Sequence, residues 1–88
     1  MELKLISDSG HGWLKVPRHM IEQLNLTDKI SEFSYQKGGF VYLEEDRDMK
    51  MFKMTCTNSG IDLEIKEEVS NGYSEIRNYD QYKPDIIA

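Results

Sequence analysis

Between Trp13 and Leu24 the apolar residues change their period at a single proline. Leu14 and Val16 alternate with Trp13 and Lys15, the two-residue repeat of a strand with one face on a core. Met20, Ile21 and Leu24 then fall at i, i+1 and i+4, the one-sided stripe of a short helix. Pro17 stands at the junction. Its fixed φ suits the first helical residue, and its missing N–H removes no helical hydrogen bond there. The run from Gly10 to Leu26 is therefore a folding signature before it is a chemical one.

The same periodicities organise the rest of the chain. Leu3 and Leu5 alternate with Glu2 and Lys4, a strand ending in the turn-forming run Ser7-Asp8-Ser9-Gly10-His11-Gly12. Asn25 suits the left-handed residue that ends the first helix. Two aromatic and β-branched segments, Ile30–Gln36 and Phe40–Glu44, read as strands joined at Lys37-Gly38-Gly39. Glu45-Asp46-Arg47-Asp48 opens a second helix, with acids at the positive end of its dipole. Met49, Phe52 and Cys56 are its inner stripe, Met51 and Met54 lie off it, and Asn58-Ser59-Gly60 ends it.

Ile61, Leu63, Ile65 and Val69 alternate with Asp62, Glu64, Lys66 and Glu68, and Asn71-Gly72 predicts a hairpin back along Tyr73–Tyr79. A two-residue loop would oppose Glu68 to Glu75 and Lys66 to Arg77. Like charges in direct register are unfavourable, so the expectation is a hairpin in some other register. The tail, Tyr79 to Ala88, reads as irregular. The 88 residues predict one domain, of α+β class: a small antiparallel sheet with two short helices and a C-terminal hairpin.

Charge divides the chain. Residues 1–43 carry five Lys/Arg and five Asp/Glu, whereas residues 44–88 carry six and eleven. The whole excess of −5 thus lies in the second half. Such a chain is repelled by phosphate backbones unless a basic patch overrides the net field. The lone Cys56 excludes an internal disulfide and fits a reducing cytoplasm. The short apolar N-terminal stretch is no signal or membrane span, so a cytoplasmic protein without a membrane partner is expected.

Chemistry finds little purchase. His11 and His19 are eight apart with no paired Cys or His, unlike a zinc site. Glu44, Glu45, Asp46 and Asp48 lack the spacing and glycine of an EF-hand. The glycines form no Rossmann or P-loop fingerprint. His11 lies near Asp8 and Ser9, but a catalytic triad is recognised by geometry rather than by proximity in sequence. The expectation is a non-enzymatic binding protein with no cofactor and no metal.

Gly12-x-Leu14-x-Val16-Pro17-Arg18, a short helix, Leu24-x-Leu26 and then a hairpin together resemble the AbrB/MazE-type swapped-hairpin domain of bacterial transcription factors and antitoxins. The resemblance covers residues 1–45, leaving a helix and an acidic hairpin in 46–88 as an extension. It implies a homodimer whose chains exchange hairpins into one barrel-like core, burying Leu3, Leu5, Leu14, Val16 and Val41. It also implies DNA contacts from the strand-turn surface, through Lys15 and Arg18, with His11 and Lys37 as lesser candidates. Over its whole length, with its HGW-L-VP and YLEED runs, the chain looks like small plasmid- and phage-borne proteins of uncharacterised activity.

Two functions follow as expectations. The first is an AbrB-like DNA-binding regulator or antitoxin-like protein whose acidic half holds a toxin or other protein. The alternative is an acidic phage- or plasmid-encoded protein that binds and inhibits a host defence or nucleic-acid enzyme. Its acidic hairpin, with Glu64, Glu67 and Glu68, would imitate nucleic acid. Trp13 either packs beneath the second helix or stands exposed as an interface anchor.

Overall fold

Among the described residues, six strands form one sheet in the order β5-β1-β2-β4-β3-β6. The structure, a computed structural model, describes residues 1–84. Strands β1 (Glu2–Ser7) and β2 (Gly12–Pro17) pair antiparallel, with Leu5 opposite Leu14 and Ile6 opposite Trp13. Their turn closes on Asp8, whose Oδ1 accepts from the backbone N–H of Gly10 and His11, each at 2.9 Å. Helix α1 (Arg18–Gln23) follows without a linker, and Asn25 ends it with φ of 58°. Pro17 is the cap rather than the first helical residue: its ψ of 135° is still that of the strand.

The expected strand Ile30–Gln36 shrinks to β3 (Tyr35–Lys37). Ile30 is buried, and the side chains of Ser31 and Ser34 bond to Asp48, so this stretch plugs the core as a loop instead of laddering. Strand β4 (Phe40–Glu44) pairs with both β3 and β2. Gly38 and Gly39 turn the β3–β4 hairpin with φ of 56° and 82°, which only glycine adopts cheaply at both positions.

Helix α2 (Asp48–Asn58) buries Phe52 and Cys56 fully and Met49 partly, as its stripe predicts. It carries the chain back to β5 (Glu64–Val69), which lies parallel to β1 with Ile65 beside Leu3. The expected C-terminal hairpin is absent. A parallel return needs a long crossover, which α2 supplies, and it seats Ile61, Leu63 and Ile65 against the core. It also opposes like charges directly, Glu2 to Glu64 and Lys4 to Lys66, and offsets them with diagonal pairs, Lys66 beside Glu2 at 3.1 Å and Lys4 beside Glu68 at 3.5 Å. Val69, expected on the inner stripe, is exposed because the core ends before it.

Past Gly72, residues 73–79 cross the sheet face opposite the helices. A 3-10 helix (Glu75–Asn78), capped by the Ser74 hydroxyl, inserts Ile76 between Trp13 and Tyr42. Strand β6 (Asp80–Gln81) then adds to β3, so the tail is not wholly irregular; residues 85–88 of that expected tail lie outside the described residues.

The sheet thus has two cores. Leu14, Val16, Val41 and Leu43 face α1 and α2 with no exposed surface; burying each such side chain contributes about 1.5–3 kcal/mol. Both helices belong to the same chain, so these residues are covered without an exchanged hairpin. The architecture is α+β with a mixed sheet. Among the described residues no helix is long and apolar enough to cross a membrane.

Candidate functional site

The β1–β2 turn, the start of β3, the β4–α2 loop and the 3-10 helix meet around a cleft of about 460 Å³. Trp13 forms its floor and is only 3% exposed. Tyr35 meets the indole edge-on at 6.2 Å between ring centroids, and the His11 ring lies at 6.0 Å. Phe33 completes the aromatic wall and is 71% exposed. Glu44, Glu45, Asp46 and Arg47 make the opposite rim. Register explains the meeting: Trp13 and Glu44 are direct partners across β2 and β4.

Two buried carboxylates hold these walls in place. The Asp8 side chain is closed off from solvent and accepts from Arg77 Nε at 2.7 Å, Arg77 Nη2 at 2.9 Å and the Ser74 N–H at 2.9 Å. The Arg77 guanidinium, with the surrounding backbone N–H groups, holds the Asp8 carboxyl far below the usual carboxylate range against the opposing effect of burial. Arg77 is raised in turn by Asp8. Its guanidinium lies 5.3 Å from the Trp13 ring and 4.6 Å from that of Tyr73.

Asp48, fully buried, is the second anchor. Its Oδ2 accepts from the Ser31 N–H at 3.0 Å and from the hydroxyls of Ser31 and Ser34 at 2.6 Å each. Both ends of the loop carrying Phe33 are thereby fixed. The Asp48 Oδ1 has no partner among the described residues. Glu44 is committed locally: its carboxylate accepts from the N–H groups of Asp46, Arg47 and Asp48 at 2.6–2.8 Å, neutralising orphan donors at the start of α2. Glu45 is different. It is half-buried, its Oε2 would lie 3.0 Å from a Cβ added at Gly12, and it belongs to no ion pair among the described residues.

The residues expected to bind DNA are scattered. Arg18 is 6% exposed; its guanidinium donates to Gln36 Oε1 at 2.8 Å and to the carbonyls of Lys83 and Pro84. It is a tether for the C-terminal segment and not a free phosphate ligand. Lys15 is half-exposed with Nζ 4.3 Å over Phe40, and the exposed Lys37 lies 4.6 Å over Tyr79. His11 alone of the four lines the cleft. Trp13 packs, but under the 3-10 helix on the face away from α2, so it is no exposed anchor.

Nor do the glutamates expected to bind a partner form one free patch. Glu64 and Glu68 share a sheet face with Glu2 and Ile6, and Glu67 alternates to the other. Glu68 pairs with Lys4, and Glu67 accepts from the Ser7 hydroxyl at 2.8 Å. These charges also line an open sheet edge, where they discourage pairing with other strands.

Reactive chemistry is thin here. Every Asp8 oxygen bond goes to Arg77 or to backbone, so Asp8 does not orient the His11 ring. Cys56 is buried, and desolvation pushes its thiol up. Among the described residues no three His, Cys, Asp or Glu side chains are grouped as metal ligands. The YLEED run was the one sequence signal for the acidic rim, while Phe33, Tyr35 and Arg77 carried none. No family model, curated protein or solved structure matches the chain, so its function has to be read from the geometry of these residues.

Proposed function

We propose that the protein is a non-enzymatic, acidic binding protein that docks another protein at the aromatic cleft. In this reading it acts as a mobile-element inhibitor that occupies a basic surface of a host enzyme. The carrying observation is Phe33, a phenyl ring 71% exposed on a loop tied down at both ends. Rigid aromatic anchors beside a pocket with a polar rim are what binding hot spots use. The −5 net charge supports a basic counterpart.

A second reading keeps the AbrB-like DNA-binding regulator, and one observation favours it. Lys66, Lys4 and Lys15 are direct register partners across β5, β1 and β2. A homodimer would double that row. Glu2 and Glu68 pair with two of its members, which weakens it as a phosphate track.

Retention of host proteins on the immobilised chain tests both readings. The first expects Phe33→Ala and Glu45→Gln to lose one saturable partner, while Lys4→Ala and Lys15→Ala retain it. Duplex DNA bound at about 50 mM salt, with a salt slope that falls when Lys4 or Lys15 is removed, would instead favour the regulator.

A further inference from the structure

We infer that the cleft is a receptor for one protruding arginine side chain of the partner, with Glu45 and Asp46 as its counter-charges. This rests on the docking reading and names the chemistry that the site selects.

Charge gives the sign. Three carboxylates, Glu44, Glu45 and Asp46, line the cleft together with Arg47 and Arg77. The Arg77 charge is already met by Asp8 at 2.7 Å. Glu44 is engaged by three backbone N–H groups. That leaves Glu45 and Asp46 against Arg47, a net negative rim. Glu45 is held half-buried above Gly12, where a side chain at position 12 would crowd it. Glu45 has no cation partner among the described residues, and an incoming guanidinium would give it charge-assisted hydrogen bonds.

Shape gives the identity. The aromatic wall is Phe33, 71% exposed, with the half-buried Tyr35 over the Trp13 floor, and planar cations stack on such an exposed ring better than compact ammonium groups. The molecule already contains this arrangement once: Arg77 lies between the Trp13 and Tyr73 rings and forks onto Asp8. A second arginine from a partner would repeat it at the mouth of the same cleft, with the exposed Phe33 ring as its stacking face and the Glu45 and Asp46 carboxylates as counter-charges. A volume of about 460 Å³ accommodates that side chain with accompanying water.

Trp13 is the only tryptophan of the chain, so its fluorescence and its indole N–H resonance report on this cleft alone. The probe is the blocked tripeptide Ac-Gly-Arg-Gly-NH2, titrated against its citrulline, lysine and glutamate counterparts. Saturable perturbation of the Trp13 resonance by the arginine peptide is expected. Affinity should fall about fivefold or more with citrulline, which keeps the shape and loses the charge. Lysine should bind more weakly than arginine. Glu45→Gln with Asp46→Asn should abolish the response, and Arg47→Ala should strengthen it. None of these three residues is in the core, and unchanged circular dichroism would verify folding of each variant.

Equal response to arginine and citrulline, preference for the glutamate peptide, or no response to any peptide would overturn the inference. In the last case, partner capture that still required Phe33 would leave the docking reading standing without the arginine.

Discussion

The two faces of the sheet are built from different materials. The helix-covered face is a continuous apolar core, with Leu14, Val16, Ile21, Val41, Leu43, Phe52 and Cys56 all without exposed surface. Among the described residues, the opposite face carries Trp13, Tyr42 and Ile76 as its buried apolar residues. What holds the C-terminal segment there is Ile76 between Trp13 and Tyr42 together with polar contacts, Arg77 and the Ser74 N–H on Asp8. Beyond it Tyr82 joins the helix-side core, and the Lys83 and Pro84 carbonyls accept from Arg18. One face is secured chiefly by area removed from water, the other by a small aromatic cluster and a few directed contacts. The candidate site lies on the second, where a small core and satisfied charges leave room for a cleft.

The comparison breaks hardest at Phe52. Phe52→Ala should cost roughly 3–5 kcal/mol, read as a lowered denaturant midpoint for all probes together. Leu24→Ala should cost less, because Leu24 is only partly buried at the end of α1. Equal losses at the two positions would mean that burial does not set the cost of truncation on the helix face.

Asp8→Ala should act on the other face alone. It leaves Arg77 and the Ser74 N–H without their acceptor, so amide exchange across residues 74–79 should accelerate by about tenfold or more while α2 remains protected. Trp13 emission should shift to the red as Ile76 withdraws. Cooperative loss of both faces would show that they are one unfolding unit.

Titration sharpens the contrast further. The Asp8 carboxyl is depressed in the folded protein, so its stabilising contribution is fully present above its ordinary value of 3.8 and is lost as pH falls through the folded value. Acid should therefore release the segment only well below pH 3.8, a step that Asp8→Asn removes. Tyr79 has the opposite sign. Burial pushes its phenol up to about 12, so its contribution is present below its ordinary value of 10.0 and is lost as pH rises from there through about 12. Trp13 fluorescence should report both edges; a single transition shared with helix ellipticity would contradict the division into two faces.

The smallest effect is expected at β5. Replacing Glu64, Glu67 and Glu68 by Gln should change stability by no more than about 0.5 kcal/mol per site, since exposed pairs contribute little. A larger loss would give the acidic edge strand a structural role that its exposure does not explain.

Particular residues mark how far local pattern reaches. The turn at Ser7–Gly12, the left-handed Asn25, the strand Phe40–Glu44 and the Met49, Phe52 and Cys56 stripe were legible, because each depends on neighbours a few positions away. Of Ile61–Val69 only Glu64–Val69 is strand, and its partner was not legible, since alternation defines a face and leaves the edge it pairs with open. Arg18 read as a phosphate ligand because its recipients, the carbonyls of Lys83 and Pro84, lie 65 and 66 residues away. The cleft was legible only in fragments: HGW and YLEED were visible as runs, while Phe33 looked like one more strand residue.

By itself, then, the sequence determined the α+β class, the order from β1 through α2, the turns at Ser7–Gly12 and Lys37–Gly39 and the uneven charge, all of which follow from short-range steric and solvation preferences. Tertiary structure decided that β5 joins β1, that Trp13 is covered by Ile76 and not by α2, that Asp8 is spent on Arg77, and that Phe33 stands over a cleft. Those outcomes compare competing long-range pairings, such as Asp8 with Arg77 across 69 residues. The choice among them is made by which pairing covers the apolar faces while leaving few buried polar groups unpaired, Asp48 Oδ1 being one among the described residues, a condition that no local period encodes.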